Sequence, residues 1–64
     1  MRNLKMKIAR IEKGVNQYDL SSVTNLPQGL ISLFETGHRK PTPEQAQKIA
    51  DALQVGISDI FSEL

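Results

Sequence analysis

The chain has 64 residues, 39% of them hydrophobic, with eight Lys or Arg against seven Asp or Glu and no cysteine. A chain this short builds one core, and hence one domain over residues 1–64, with a net stability on the order of 3–5 kcal/mol. Disulfide frameworks and thiolate metal sites are excluded, no apolar run approaches the ~20 residues that span a bilayer, and the N-terminus lacks a signal peptide's apolar stretch; the expectation is a cytoplasmic chain with no membrane partner.

Leu4, Ile8, Ile11 and Val15 recur at helical spacing. They predict a first helix with an apolar stripe toward the core, ending near Gly14. Asn16 then offers a side-chain oxygen to the backbone N–H groups of the next turn, and Asp19 complements the positive helix end, so a second helix is expected from Gln17 to Val23 or Thr24. Asn25 is suited to positive φ and to closing that helix. Pro27 belongs at the first turn of a third helix, from about Gln28 to Thr36, which Gly37 stops. Thr42, Pro43 and Gln45 make a capping box with proline at the first helical position, predicting a fourth helix through Ile49, Ala50 and Leu53. A short fifth helix begins near Ile57. Its apolar residues Ile57, Ile60, Phe61 and Leu64 exceed what a core of this size easily absorbs. Part of them, with Val55, is a candidate self-association surface at Val55, Ile57, Phe61 and Leu64; the alternative for Ile60 and Phe61 is simple capping of the core.

Two short helices joined by a tight turn at Thr24 to Leu26 form a geometry whose main use is to lay the second helix in a DNA groove. In that second helix Ile31 and Phe34 can face a core with Leu26, which leaves Gln28, Gly29, Ser32 and Leu33 on another, uncharged face. Such a face can read bases: Gln bonds an adenine edge at two points, Ser bonds either kind of edge, and Leu touches a thymine methyl.

The stretches GVNQYDL, TNLPQ, LISLFETG and KPTPEQAQKIADALQVGISDIF resemble the phage repressor and Cro type (XRE-like) of helix-turn-helix protein over about residues 4 to 61. The ordered set Gln17, Leu20, Ile31, Glu35, Gly37, Ala50, Leu53 and Phe61 carries the likeness. It implies an all-α, compact five-helix bundle of the lambda-repressor type, with helices 2 and 3 as the helix-turn-helix. It further implies phosphate contacts at Asn16 and Gln17, where a helix N-terminus favours an anion, against simple capping as the alternative. Arg10 and Glu35 look similar to a family pair linking helix 1 to the reading helix, and an Arg–carboxylate salt bridge with a structural role is expected. His38, Arg39 and Lys40 follow Gly37 in a loop that could grip the DNA backbone. The chain departs from the family pattern at Gly29, where a side chain usually reaches a base, and at Leu30 and Leu33, large apolar groups on or beside a face that is usually polar.

The net charge of +1 is unevenly spread. Arg2, Lys5, Lys7, Arg10 and Lys13 stand against Glu12 alone, a local balance of +4, whereas residues 49 to 64 carry Asp51, Asp59 and Glu63 and no cation. Acids on the far side of a DNA-binding domain are tolerated because exposed charges beyond ~8 Å are screened at physiological salt. A lone histidine without a second ligand is no metal site, no cofactor motif is present, and an enzyme is disfavoured. Two functions are expected: a regulator, most simply a repressor, binding duplex DNA as a homodimer, or a protein-interaction module on the same scaffold, antitoxin-like or antirepressor-binding, docking a protein partner through Leu30, Leu33 and the C-terminal apolar residues.

Overall fold

The computed structural model describes residues 3–61. These residues form α1 (Leu4–Lys13), α2 (Gln17–Thr24), α3 (Gln28–Thr36), α4 (Pro43–Leu53) and α5 (Ile57–Ile60), with no strand among the described residues. Local chemistry accounts for the boundaries. Asn16 and Asp19 cap each other's backbone N–H groups at 2.8 and 3.2 Å, a reciprocal box at the start of α2. Thr42 and Gln45 do the same for α4 at 3.2 and 3.0 Å. Asn25 closes α2 at φ 60°, and Gly14 and Gly37 close α1 and α3 at φ 77° and 79°. Pro27 lies one position earlier than expected, as the extended N-cap of α3 at ψ 142°, and its carbonyl accepts from the Leu30 and Ile31 N–H groups.

α4 supplies the largest share of the core, burying Ala46, Ile49, Ala50 and Leu53. Its two buried alanines let neighbouring helices approach closely. α2 packs on α3 and α4, while α1 packs on α3, α4 and α5. α3 contributes Ile31 and Phe34 to the core, with Leu20 and Leu26 arriving from the α2 side. No helix among the described residues is long and apolar enough to cross a membrane.

Three expectations are corrected. Of the stripe of Leu4, Ile8, Ile11 and Val15, Val15 packs half-buried against the core, but the other three are 54%, 54% and 58% exposed, while Met6 is fully buried. Met6 lies about 200° around the helix from Leu4 and Ile8 at 3.6 residues per turn, so only one of the two faces can point inward. Polar ties select it. Asn3 accepts from the Met6 N–H, donates its backbone N–H to the Glu35 carbonyl at 2.8 Å and donates its side-chain amide to the Ile60 carbonyl at 2.6 Å, while Arg10 anchors the other end of α1 on Glu35. Half-buried Ala9 allows close approach on that side, and the flexible Met6 side chain fills the gap.

The second correction concerns the C-terminal apolar residues. Phe61 is 7% exposed and stands edge-on to Phe34, with ring centroids 6.4 Å apart. Ile60 is buried as well, and Val55 and Ile57 are half-buried against the core, so Phe61 is unavailable to a second copy; Leu64 lies outside the described residues. Third, Leu30 is half-buried against the core rather than standing out beside the face of Gln28, Gly29, Ser32 and Leu33. Of the docking surface expected from Leu30, Leu33 and the C-terminal apolar residues, Phe61 is in the interior and Leu30 is half-covered, while Leu33 stays exposed.

Candidate nucleic-acid interface

The outward surface of α3 is built from its first two turns. Gly29 and Leu33 are exposed, Leu33 at 39%, and Gln28 and Ser32 are half-buried beside them. Nothing lies within 4 Å of the place a Cβ would take on Gly29. Packing does not demand a glycine there. Gly29→Ala is therefore expected to stabilise the fold by up to about 1 kcal/mol through helix propensity; a thermal midpoint that falls instead would show an unseen constraint on this turn.

Behind that surface runs a chain of hydrogen bonds. Arg10 donates Nε to Glu35 Oε2 at 2.7 Å and Nη2 to Glu35 Oε1 at 3.3 Å, and its Nη1 holds the Val15 carbonyl at 3.0 Å. Gln17 Nε2 donates to Glu35 Oε1 at 3.2 Å, and Gln28 Nε2 donates to Gln17 Oε1 at 2.6 Å. A carboxylate only accepts, so Gln17 must turn its amide nitrogen toward Glu35 and its oxygen toward Gln28. Gln28 in turn must present its nitrogen to Gln17. One Gln28 N–H is used in this way, which leaves the second N–H and Oε1, one donor beside one acceptor.

The ion pair at the root of this chain is largely out of water, with side-chain exposures of 11% for Arg10 and 5% for Glu35. The acid in the last turn of α3 is thereby neutralised within the fold. Single-sequence reasoning named all four residues, with Gln17 as a phosphate ligand and Gln28 as a base reader, but missed that they form one relay. The available signal was that Gln17 and Gln28 are each the first residue of a helix in the α2–α3 pair.

At the start of α2, Asn16 spends its Oδ1 on the cap, which leaves its Nδ2 as a donor. Capping and an anion contact thus use different atoms of one side chain. Gln17 spends its Oε1 and one Nε2 N–H on the relay, so an anion there would meet the second Nε2 N–H and the backbone N–H groups at the head of α2. The turn between the helices is closed by Ser21, whose hydroxyl donates to the Leu26 carbonyl, and by buried Thr24, which donates to the Leu20 carbonyl at 2.7 Å. Past Gly37, the backbone N–H groups of His38 and Arg39 both bond the Leu33 carbonyl, which folds the loop against the end of α3. His38, Arg39 and Lys40 are exposed there, and His38 Nδ1 lies 2.8 Å from Thr36 Oγ1. The two ends of the α2–α3 unit therefore carry donors and cations, with the uncharged face of α3 between them.

Residues 6–60 match a family model described as helix-turn-helix. No curated protein matches the chain.

Proposed function

The chain belongs to the Cro/C1-type (XRE) helix-turn-helix family of DNA-binding transcription regulators, which is not an enzyme family, and from that premise we propose that it binds a specific duplex site as a homodimer and acts as a repressor in the cytoplasm. The domain works as one unit over residues 1–64. α3 enters the major groove with Gln28, Gly29, Ser32 and Leu33 toward the bases. Asn16, Gln17, His38, Arg39 and Lys40 hold the phosphates on either side. A two-fold site with half-sites about 34 Å apart follows from a symmetric dimer, and occupancy of such a site across a promoter represses by exclusion.

The observation that carries this reading is the amide of Gln28. Held through Gln17 by Glu35, it keeps one donor and one acceptor unspent, the pair needed to bond adenine N7 and N6 at two points. Gly29 lets the helix backbone come near the base edges, and Leu33 offers an apolar contact to a thymine methyl. Ser32 can bond a base of either kind.

The test is binding to random-sequence duplexes across a salt series. A linear fall of log affinity with log salt is expected, at about 0.9 per phosphate contacted, and a slope near zero would remove the phosphate model. Gln28→Ala should then cost roughly 1–3 kcal/mol at one base position per half-site and leave the other preferences intact. Unchanged preference at every position would exclude its reading role.

A further inference from the structure

The face of α1 turned away from the core is its most apolar one. Leu4, Ile8 and Ile11 form a single outward stripe and are each more than half exposed. Large aliphatic side chains grouped in this way mark a contact surface more often than a solvated helix face. The charged residues around the stripe divide into two kinds. Arg10 is spent on Glu35 and Lys13 on Gln54, both within the chain. Lys5 and Glu12 make no side-chain hydrogen bond or ion pair with the described residues and are exposed. They stand on one flank of the stripe, seven residues and thus about two turns apart.

We propose that this face pairs with α1 of a second copy, with the two helices antiparallel. The proposal rests on the homodimer reading above and moves its interface from the C-terminal residues to α1. A two-fold axis beside Ile8 sets Leu4 of one copy against Ile11 of the other, and Ile8 against its own counterpart. The same axis keeps each flank on its own side, so Lys5 meets Glu12 of the other copy and Glu12 meets Lys5. One opposite pair on the helix becomes two across the interface. On the opposite flank the same axis sets Lys7 beside its own counterpart, one like-charge contact against two Lys5–Glu12 pairs, whereas a parallel arrangement would bring the Lys5–Glu12 flank against the flank that carries Lys7.

The contact from Leu4 to Ile11 covers about 10 Å of helix, well below the extent of a standard interface, so the dimer is weak in solution, with Kd between roughly 10 µM and 1 mM. Two adjacent half-sites would populate it by holding both copies at high local concentration.

Sedimentation of the full chain over a concentration series reads the association directly, and far-UV circular dichroism shows that each variant is folded. Ile8→Lys, at an exposed position on the axis, should weaken dimerisation by about tenfold or more. Lys5→Glu should weaken it by about three- to tenfold, and adding Glu12→Lys to it should restore the original value. The inference is overturned if the unaltered chain stays monomeric throughout, if Ile8→Lys leaves the association intact, or if Lys5→Glu strengthens it, as parallel pairing requires. Footprinting separates the two levels of the argument. Paired half-sites protected equally by the unaltered chain and by Ile8→Lys would discard the α1 interface and keep the DNA-bound dimer, whereas a single protected half-site would discard the dimer itself.

Discussion

Replacing Glu35 with alanine is expected to unfold the chain at room temperature. Its carboxylate accepts from Arg10 at 2.7 and 3.3 Å and from Gln17 at 3.2 Å, at 5% side-chain exposure. Without it the Arg10 guanidinium keeps one carbonyl partner, Val15, in a site where only 11% of the side chain reaches water. Removing one member of a buried pair costs about 3–5 kcal/mol, because the charge left behind is desolvated without compensation. The whole net stability of a single core this size is of the same order. Urea denaturation followed by circular dichroism decides the matter: a variant within about 0.5 kcal/mol of the parent would mean that the pair is structurally idle. The double variant Arg10→Met with Glu35→Leu should fold again, since well-packed apolar replacements of a buried pair are often neutral or stabilising. If Gln28 reads a base as proposed, the double variant should nevertheless lose discrimination there, because the Gln17 amide would no longer be anchored on a carboxylate. The two variants together separate the carboxylate's part in stability from the part proposed for it in sequence reading.

Phe34→Ala is expected to have an effect of similar size by a different route. Phe34 is 2% exposed, sits on α3 opposite the reading surface and holds the edge-on contact with Phe61. Truncation of a buried phenylalanine costs about 3–5 kcal/mol through lost transfer energy and the cavity left behind. Loss of the aromatic geometry adds about 0.5–1.5 kcal/mol. Thermal unfolding should show no cooperative transition, and DNA binding should vanish with the fold. A folded Phe34→Ala protein with a clear transition above room temperature would contradict the placement of both rings in the core. Gln28→Ala provides the contrast, a folded chain with altered base preference.

The helix boundaries were legible because their causes lie within a turn of each boundary. Asn16 with Asp19, Thr42 with Gln45, Asn25 at the end of α2 and Gly37 at the end of α3 each act on neighbours three or four residues away, and these signals alone place α2, α3 and α4. The split of α3 into Ile31 and Phe34 inward and Gln28, Gly29, Ser32 and Leu33 on another face also follows from a single helical period, although Leu30 packs further in than that period suggests.

α1 shows where that reasoning stops. Its strongest apolar period belongs to Leu4, Ile8 and Ile11, yet Met6 is the residue inside. Rotation of a helix about its own axis is set by what it meets, here the Glu35 and Ile60 carbonyls that bind Asn3 and the carboxylate that binds Arg10. These partners lie 25 or more residues away in the chain. The Gln17–Gln28 bond and the Phe34–Phe61 contact are likewise agreements between separate elements. By itself, then, the chain determined the order of its five helices, the caps at Asn16, Asn25, Gly37 and Thr42 and the uncharged face of the third, because short-range backbone chemistry decides them. Only the assembled bundle decided which side of α1 was left to solvent, which aromatic closed the core and how the Gln28 amide was aimed, because those outcomes depend on burial and hydrogen bonding between segments remote in sequence.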